Sequence, residues 1–378
     1  MREALFYESL EHQRVRCTLC PHFCAIAPGH QGACGVRINQ DGKLYTLVAD
    51  RVVSQEVDSI EKKPLFHFLP GSRAYSIATV GCNFRCLYCQ NWYISQWPKG
   101  RPAESVEQFC PALSGGEDQW EETMSVTPEA IVTSARAAGC ASIAYTYTEP
   151  TIFFELALET AKMARVAGLK NIFVTNGFIT PEPLRMIAPY LDAANIDLKG
   201  FRDGFYKRVC GAPLQPVLDA IRLYKNLGIW IELTTLLIPG RNDGDAELRD
   251  LTGFIKTDLG DEVPWHISRF FPAYKMDTVP MTPMDSLRRA ERIGWDAGLK
   301  YVYLGNVDAE GTEDTRCPVC RALLLRRAGL MLVDNRLMDG KCPSCRKPIP
   351  GVWDKPLSGL SCLSGVAEAE PGKQEKPD

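Results

Sequence analysis

The chain has no long apolar run: nothing in its 378 residues approaches the ~18 uninterrupted apolar positions of a membrane-spanning helix. Its opening stretch, MREALFYESLEHQRVRC, carries charges where a secretory leader needs an apolar centre. These two absences predict a cytoplasmic protein with no membrane partner. Excess charge of one sign is missing too. Lys and Arg number 43 against 46 Asp and Glu, a formal net charge of −3, so nucleic acid is not expected as a partner. No internal repeat is present. What remains is a globular composition, 45% hydrophobic and 24% charged, long enough for one large domain with smaller attachments.

Cysteine is what the sequence has in quantity, 15 in all. A large domain in a reducing compartment has no need of disulfides, and these cysteines cluster. Cys17, Cys20, Cys24 and Cys34 form one group, Cys82, Cys86 and Cys89 a second, and Cys317, Cys320, Cys342 and Cys345 a third. Cys110, Cys140, Cys210 and Cys362 stand alone and read as small packed or surface thiols without a role.

Between about residues 74 and 307, short β-branched runs alternate with helical patterns, as in a parallel sheet covered by helices. The expected strands are AYSIATV (74–80), ASIAYTYT (141–148), NIFVTN (171–176), AANIDL (193–198), IWIELTTLLI (229–238), PWHISRF (264–270) and KYVYLGN (300–306). TPEAIVTSARAAG is the clearest helix, with Thr127 as N-cap, Pro128 in the first turn and Gly139 as its end. Six or seven such units fit an α/β fold built on a partial (β/α)6-type TIM barrel; a doubly wound sheet is the alternative. In either, function gathers at the C-terminal ends of the strands. The cysteine trio, Glu149, Asn176, Asp197, Lys199 and the PGRN segment (239–242) all fall there.

The expected organisation is a Cys-rich N-terminal module (1–70), the barrel (71–307) with a polar loop insertion (98–125), a zinc-ribbon-like module (308–356) and a disordered tail (357–378). In the C-terminal module, CPVC and CPSC are separated by 21 residues. Two C-x2-C turns give four thiolates, which close a tetrahedral site around zinc or a similar ion and leave no open position. The N-terminal group, C-x2-C-x3-C-x9-C, also supplies four thiolates, and these suit zinc or an iron-sulfur cluster equally; GVRINQDGKLYTLV after it reads as a hairpin. His22 and His30 read as polar surface residues. The central trio is odd in number. Three thiolates can hold three irons of a 4Fe-4S cube and leave the fourth free for a small molecule; a zinc ion completed by a distant His, or a cluster completed by a distant Cys, would also account for it.

GCNFRCLYCQNW resembles the signature loop of the radical S-adenosylmethionine (radical SAM) superfamily. YTYTEPTIFFE, FVTNGF, NIDLKGF and LLIPGRND are similar in order and spacing to the pyruvate formate-lyase activating enzyme branch. The N-terminal cysteine segment, SIEKKPLFHFLPG, WHISRFFPAYKM and CPVC…CPSC…IPGVW together resemble the AmmeMemoRadiSam system radical SAM enzyme.

The resemblance implies a 4Fe-4S cluster on Cys82, Cys86 and Cys89 and bound S-adenosylmethionine, cleaved reductively to a 5'-deoxyadenosyl radical that abstracts hydrogen from a substrate. It implies that Glu149 meets the amino group of S-adenosylmethionine, although Tyr147 and Thr148 replace the family's two glycines, and that Tyr88 lies near the adenine. Asn176, Asp197, Lys199 and His266 are the further candidates for that site. Implied partners are an electron donor of the flavodoxin or ferredoxin class and a protein substrate or AmmeMemoRadiSam system partners. A glycyl-radical-enzyme activating enzyme is the neighbouring alternative, and a non-catalytic metal-binding scaffold or sensor is the alternative of a different class.

Overall fold

The computed structural model describes residues 1–108 and 124–353. Its centre is an eight-stranded sheet: β1 (Ser54–Ser59), β2 (Arg73–Ala78), β3 (Ser142–Tyr145), β4 (Lys170–Thr175), β5 (Ala193–Asp197), β6 (Trp230–Leu237), β7 (Trp265–Arg269) and β8 (Val302–Gly305). Strands β2 to β8 run parallel, and β1 pairs antiparallel with β2. Spatial order repeats chain order from one edge to the other. A doubly wound sheet reverses its strand order at a switch point; this sheet has no reversal, so it winds as a barrel does. Among the described residues no pairing joins β8 to β1 or β2, and the barrel stays open.

Helices α1 (Pro128–Ala137), α2 (Phe154–Val166), α3 (Pro181–Ile187), α4 (Gln215–Asn226), α5 (Asp245–Phe254) and α6 (Met284–Asp296) cover the sheet. Helix α1 forms as its sequence predicts. The Thr127 hydroxyl accepts from Ala130 N at 3.2 Å, Pro128 supplies a preset φ, and Ile131, Val132 and Ala135 bury one face before Gly139 turns at φ 61°. Strand β3 is buried at every position, as a parallel strand covered on both faces must be.

The N-terminal module contains the expected hairpin, Arg37–Gln40 against Lys43–Thr46. Its Asp41-Gly42 turn has φ of 51° and 84°, the pair of left-handed residues that a tight hairpin needs. Arg37 leaves this hairpin and meets Glu155 of α2 at 2.6 Å, with both side chains 1% exposed. A buried pair of this kind is costly to break from one side, about 3–5 kcal/mol, and it clamps the module to the barrel.

The expected boundary at residue 70 needs correction. Segment SQEVDS (54–59) is an edge strand of the main sheet, and Phe66 and His67 lie under it, donating their backbone N–H groups to Glu232 of β6. The C-terminal module is a three-stranded antiparallel sheet, Thr315–Arg316, Leu323–Ala328 and Met331–Asn335. It docks on the same underside: Arg327 donates to Phe66 O at 2.7 Å and its ring-facing guanidinium lies 4.2 Å from the Phe66 centroid. Of the expected 98–125 loop, Ala103–Gln108 is helical and Met124–Ser125 pairs with Arg51–Val52. The remainder of that loop and the tail at 357–378, read as disordered, lie outside the described residues. No helix among the described residues is long and apolar enough to cross a membrane.

His67 joins the C-terminal module to the barrel, bonded through one ring nitrogen to Pro350 O at 2.7 Å and through the other to the Tyr303 hydroxyl at 2.6 Å. Burial lowers its pKa from 6.5 to about 4. The unfolded chain therefore takes up the proton first. This contribution is whole above pH 6.5 and is lost as pH falls toward 4, roughly 3 kcal/mol in all. Thermal midpoints measured across that window should fall steeply in the wild type and less steeply in His67→Gln.

Candidate active site at the strand ends

The cysteine loop leaves β2 through Gly81, whose φ of 93° suits glycine and whose added Cβ would lie 2.7 Å from Val36 Cγ1 and 2.9 Å from Cys34 O. Cys82 and Cys86 are buried and Cys89 is half-buried. The loop backbone is pinned from below: Arg85 N donates to Cys210 O at 2.7 Å and Leu87 N to Val209 O at 2.9 Å. Each outer sulfur faces donors. Phe84 N reaches Cys82 Sγ at 3.4 Å, and Ser95 Oγ lies 3.3 Å from Cys89 Sγ. Burial pushes the Cys82 thiol up, against the pull of Lys99, so binding a metal here releases protons.

Two asparagines tie the loop to the sheet. Asn83 donates to Phe178 O at 2.8 Å and accepts from Asn176 Nδ2 at 2.8 Å, while the same Asn176 amide lies 3.8 Å from Cys82 Sγ. Asn176 is positioned by Glu149. That carboxylate is fully buried and accepts four bonds: Asn176 N at 2.8 Å, the Thr175 hydroxyl at 2.7 Å, and both the amide and hydroxyl of Thr151. Burial pushes the Glu149 carboxyl up against these donors. Just before it, Tyr147 has φ 65°, so the backbone keeps a left-handed turn at one of the two positions where the radical SAM resemblance has glycine; its hydroxyl donates to Asp58 at 2.6 Å.

A second cluster forms beyond β5. Lys199 pairs with Asp197 at 2.7 Å and its ammonium lies 6.0 Å from the Tyr88 ring centroid. Tyr88 OH and Cys210 Sγ are 3.9 Å apart, and the Cys210 thiol contacts Cys86. Nothing in the sequence gives Cys210 a role. It stands 121 positions from the third cysteine of the loop, and no spacing rule connects them; only the fold does.

The structure thus gathers Tyr88, Glu149, Asn176, Asp197 and Lys199 around the trio. It does not bring His266 there. His266 is the second residue of β7, near the N-terminal end, and bonds Glu232 at 2.7 Å between the rings of Phe66 and Tyr303. Its expected place among the ligand contacts is corrected to this core network beneath the barrel, where a buried imidazole satisfies a buried acid. At the opposite end of the chain, the four C-terminal sulfurs all lie within 4.8 Å of one another, with Cys317–Cys345 and Cys320–Cys342 each at 3.5 Å.

Residues 76–252 match the Radical SAM superfamily. An uncharacterized protein of Methanocaldococcus jannaschii is 46% identical over 327 residues, which span 86% of this chain and 92% of that protein. The chain belongs to the radical SAM superfamily. Among solved structures, a domain of pyruvate-formate lyase-activating enzyme from Bacteroides vulgatus superposes with a TM-score of 0.39 at 18% identity, covering 44% of this chain and 99% of that one. SuiB of Streptococcus suis bound to S-adenosylmethionine gives 0.45 at 11% identity, over 65% and 53% of the two chains.

Radical SAM membership implies an enzyme with a 4Fe-4S cluster and S-adenosylmethionine. The donor set at the rim fits: three soft thiol ligands on one loop, hydrogen-bond donors on the outer sulfurs, and two lysines, Lys99 and Lys199, within electrostatic reach of Cys86. A cation near a cluster favours its reduced form. Lys199→Met should lower the midpoint potential of the reconstituted radical SAM protein by tens of millivolts in an EPR-monitored titration; an unmoved potential would separate Lys199 from the cluster.

Proposed function

We propose that the chain reductively cleaves S-adenosylmethionine at a cluster held by Cys82, Cys86 and Cys89 and uses the product to take a hydrogen atom from a partner substrate. The observation that carries this reading is the placement of a three-thiol loop, with no fourth cysteine in it, at the C-terminal rim inside the matched radical SAM segment. When bound, the cluster supplies one electron that splits the carbon–sulfur bond of S-adenosylmethionine into methionine and a 5'-deoxyadenosyl radical.

The chain's own residues bind and orient. The Asp197–Lys199 pair and the Asn176 amide offer charge and hydrogen bonds at one side of the trio, and the Tyr88 ring offers an apolar wall. Glu149 holds Thr175 and Asn176 in position through the bonds described. To meet an ammonium group it must exchange one of its threonine donors for that group, a substitution that keeps the buried carboxylate satisfied.

The sequence likeness to the pyruvate formate-lyase activating branch supports a partner protein as substrate, the likeness to the AmmeMemoRadiSam system a small molecule or a partner of that system, with a flavodoxin- or ferredoxin-class donor supplying the electron. The C-terminal quartet is proposed to hold zinc, since its sulfurs are already drawn to tetrahedral spacing. A cytoplasmic location is proposed with it.

Anaerobically reconstituted protein should release 5'-deoxyadenosine when given S-adenosylmethionine and dithionite. Cys86→Ala should abolish that release and leave the fold intact, whereas Cys342→Ala should lower the thermal midpoint and spare the chemistry in protein that stays folded. Cys210→Ala should keep the release. Loss of the S-adenosylmethionine-perturbed EPR signal in Cys210→Ala would instead make Cys210 part of the cluster site, and zinc without iron at the trio would return the chain to a scaffold.

A further inference from the structure

The four N-terminal cysteines have no part in the proposed reaction; Cys17 and Cys34 belong to the core and Cys20 and Cys24 pack against it. Cys17, Cys20, Cys24 and Cys34 converge on one internal cavity, whose remaining walls include Leu19, Ile26 and Ile152. One of these sulfurs accepts a backbone hydrogen bond, from Ala33 N to Cys24 Sγ at 3.4 Å, although a neutral thiol is a weak acceptor.

Zinc and an iron-sulfur cube differ in how far apart they hold those thiolates. With zinc–sulfur bonds of about 2.3 Å, tetrahedral sulfurs stand about 3.8 Å from one another, whereas a cube of four irons spreads its thiolates much further. The molecule contains its own comparison. The C-terminal quartet is drawn together within 4.8 Å. Among the described residues, neither the N-terminal four nor the trio at the radical SAM loop is drawn together to that extent. The N-terminal group is thus not drawn to the compact spacing of the C-terminal quartet.

A second observation points into the same cavity. Arg37, 1% exposed, is one of its walls, and its Nε–H has no protein partner although its terminal nitrogens bond Leu5 O and Glu155. Its charge lies within electrostatic reach of Cys17 and Cys34. A cube offers sulfide as well as thiolate acceptors for that orphaned donor and carries the negative charge that would retain the guanidinium. Gly32 keeps the space clear, since a Cβ there would meet Ile26 at 3.2 Å and Cys24 Sγ at 3.7 Å.

We propose that Cys17, Cys20, Cys24 and Cys34 hold a second 4Fe-4S cluster with all four irons ligated by thiolate. The site abuts the first. Cys34 and Cys82 share Lys99 as a neighbouring cation, and His22 bonds Asn83 O, inside the trio loop, at 2.7 Å. This inference does not depend on cleavage of S-adenosylmethionine.

The test uses the full chain, reconstituted anaerobically with iron and sulfide and read by iron and sulfide analysis, Mössbauer spectroscopy and EPR. Wild type should hold about eight irons, and the triple variant Cys82→Ala/Cys86→Ala/Cys89→Ala about four, with an EPR signal that S-adenosylmethionine leaves unchanged. Cys20→Ser/Cys24→Ser should retain about four, with a signal that S-adenosylmethionine perturbs. Should the double variant fail to fold, the triple variant and the wild-type count still decide. The proposal is overturned if the triple variant holds no iron, whether it is metal-free there or carries a second zinc beside the C-terminal one. About four wild-type irons that the triple variant loses overturn it as well, whereas about four that persist in the triple variant place a cluster at the N-terminal quartet and fail the trio site instead.

Discussion

The site depends on one buried carboxylate. Glu149 has no exposed surface and would be intolerable as an anion without donors; Thr151, Thr175 and Asn176 supply four hydrogen bonds to it. Because those donors come from the turn after β3 and from the end of β4, satisfying the charge fixes two strand ends relative to each other. Asn176, once fixed, orients Asn83, and Asn83 orients the loop that carries Cys82. The chain of bonds runs from a desolvation penalty to the position of a sulfur.

The two attached modules sit on different ends of this framework and serve it differently. The C-terminal sheet packs on the underside, where Arg327, Phe66, His67 and Tyr303 form a dense polar-aromatic contact far from the rim. The N-terminal module packs beside the cysteine loop and is clamped to α2 by Arg37 and Glu155. One module closes the base of the barrel; the other forms a side wall of the site.

Much of this was legible in the sequence because the relevant signals are local. Parallel strands covered on both faces appear as continuous apolar runs, so all seven were placed to within a few residues, and the spacing of the thiols set out three groups. Edge strand β1 is not visible in the sequence: SQEVDS is polar, its two adjacent exposed residues are Glu56 and Val57, and no apolar periodicity marks it. Cys210 was missed because its partnership with Cys86 and Tyr88 is made by the turn after β5, not by spacing. The stretch WHISRF does not by itself tell whether His266 faces the cavity or packs as a satisfied core histidine. Its register opposite Thr234, the fifth residue of β6, shows how the stagger between strands moves such a residue away from the loops, and its real partner, Glu232, is itself a buried acid that no sequence pattern advertised.

Gly81 couples two segments that are distant in the chain. A side chain there would overlap Val36 and the carbonyl of Cys34, so the surface of the N-terminal module and the start of the cysteine loop are cut to a common outline. Although 44 residues lie between Val36 and Gly81, a change in the outline of either segment is felt by the other, so the N-terminal module acts as a template against which the cysteine loop is shaped.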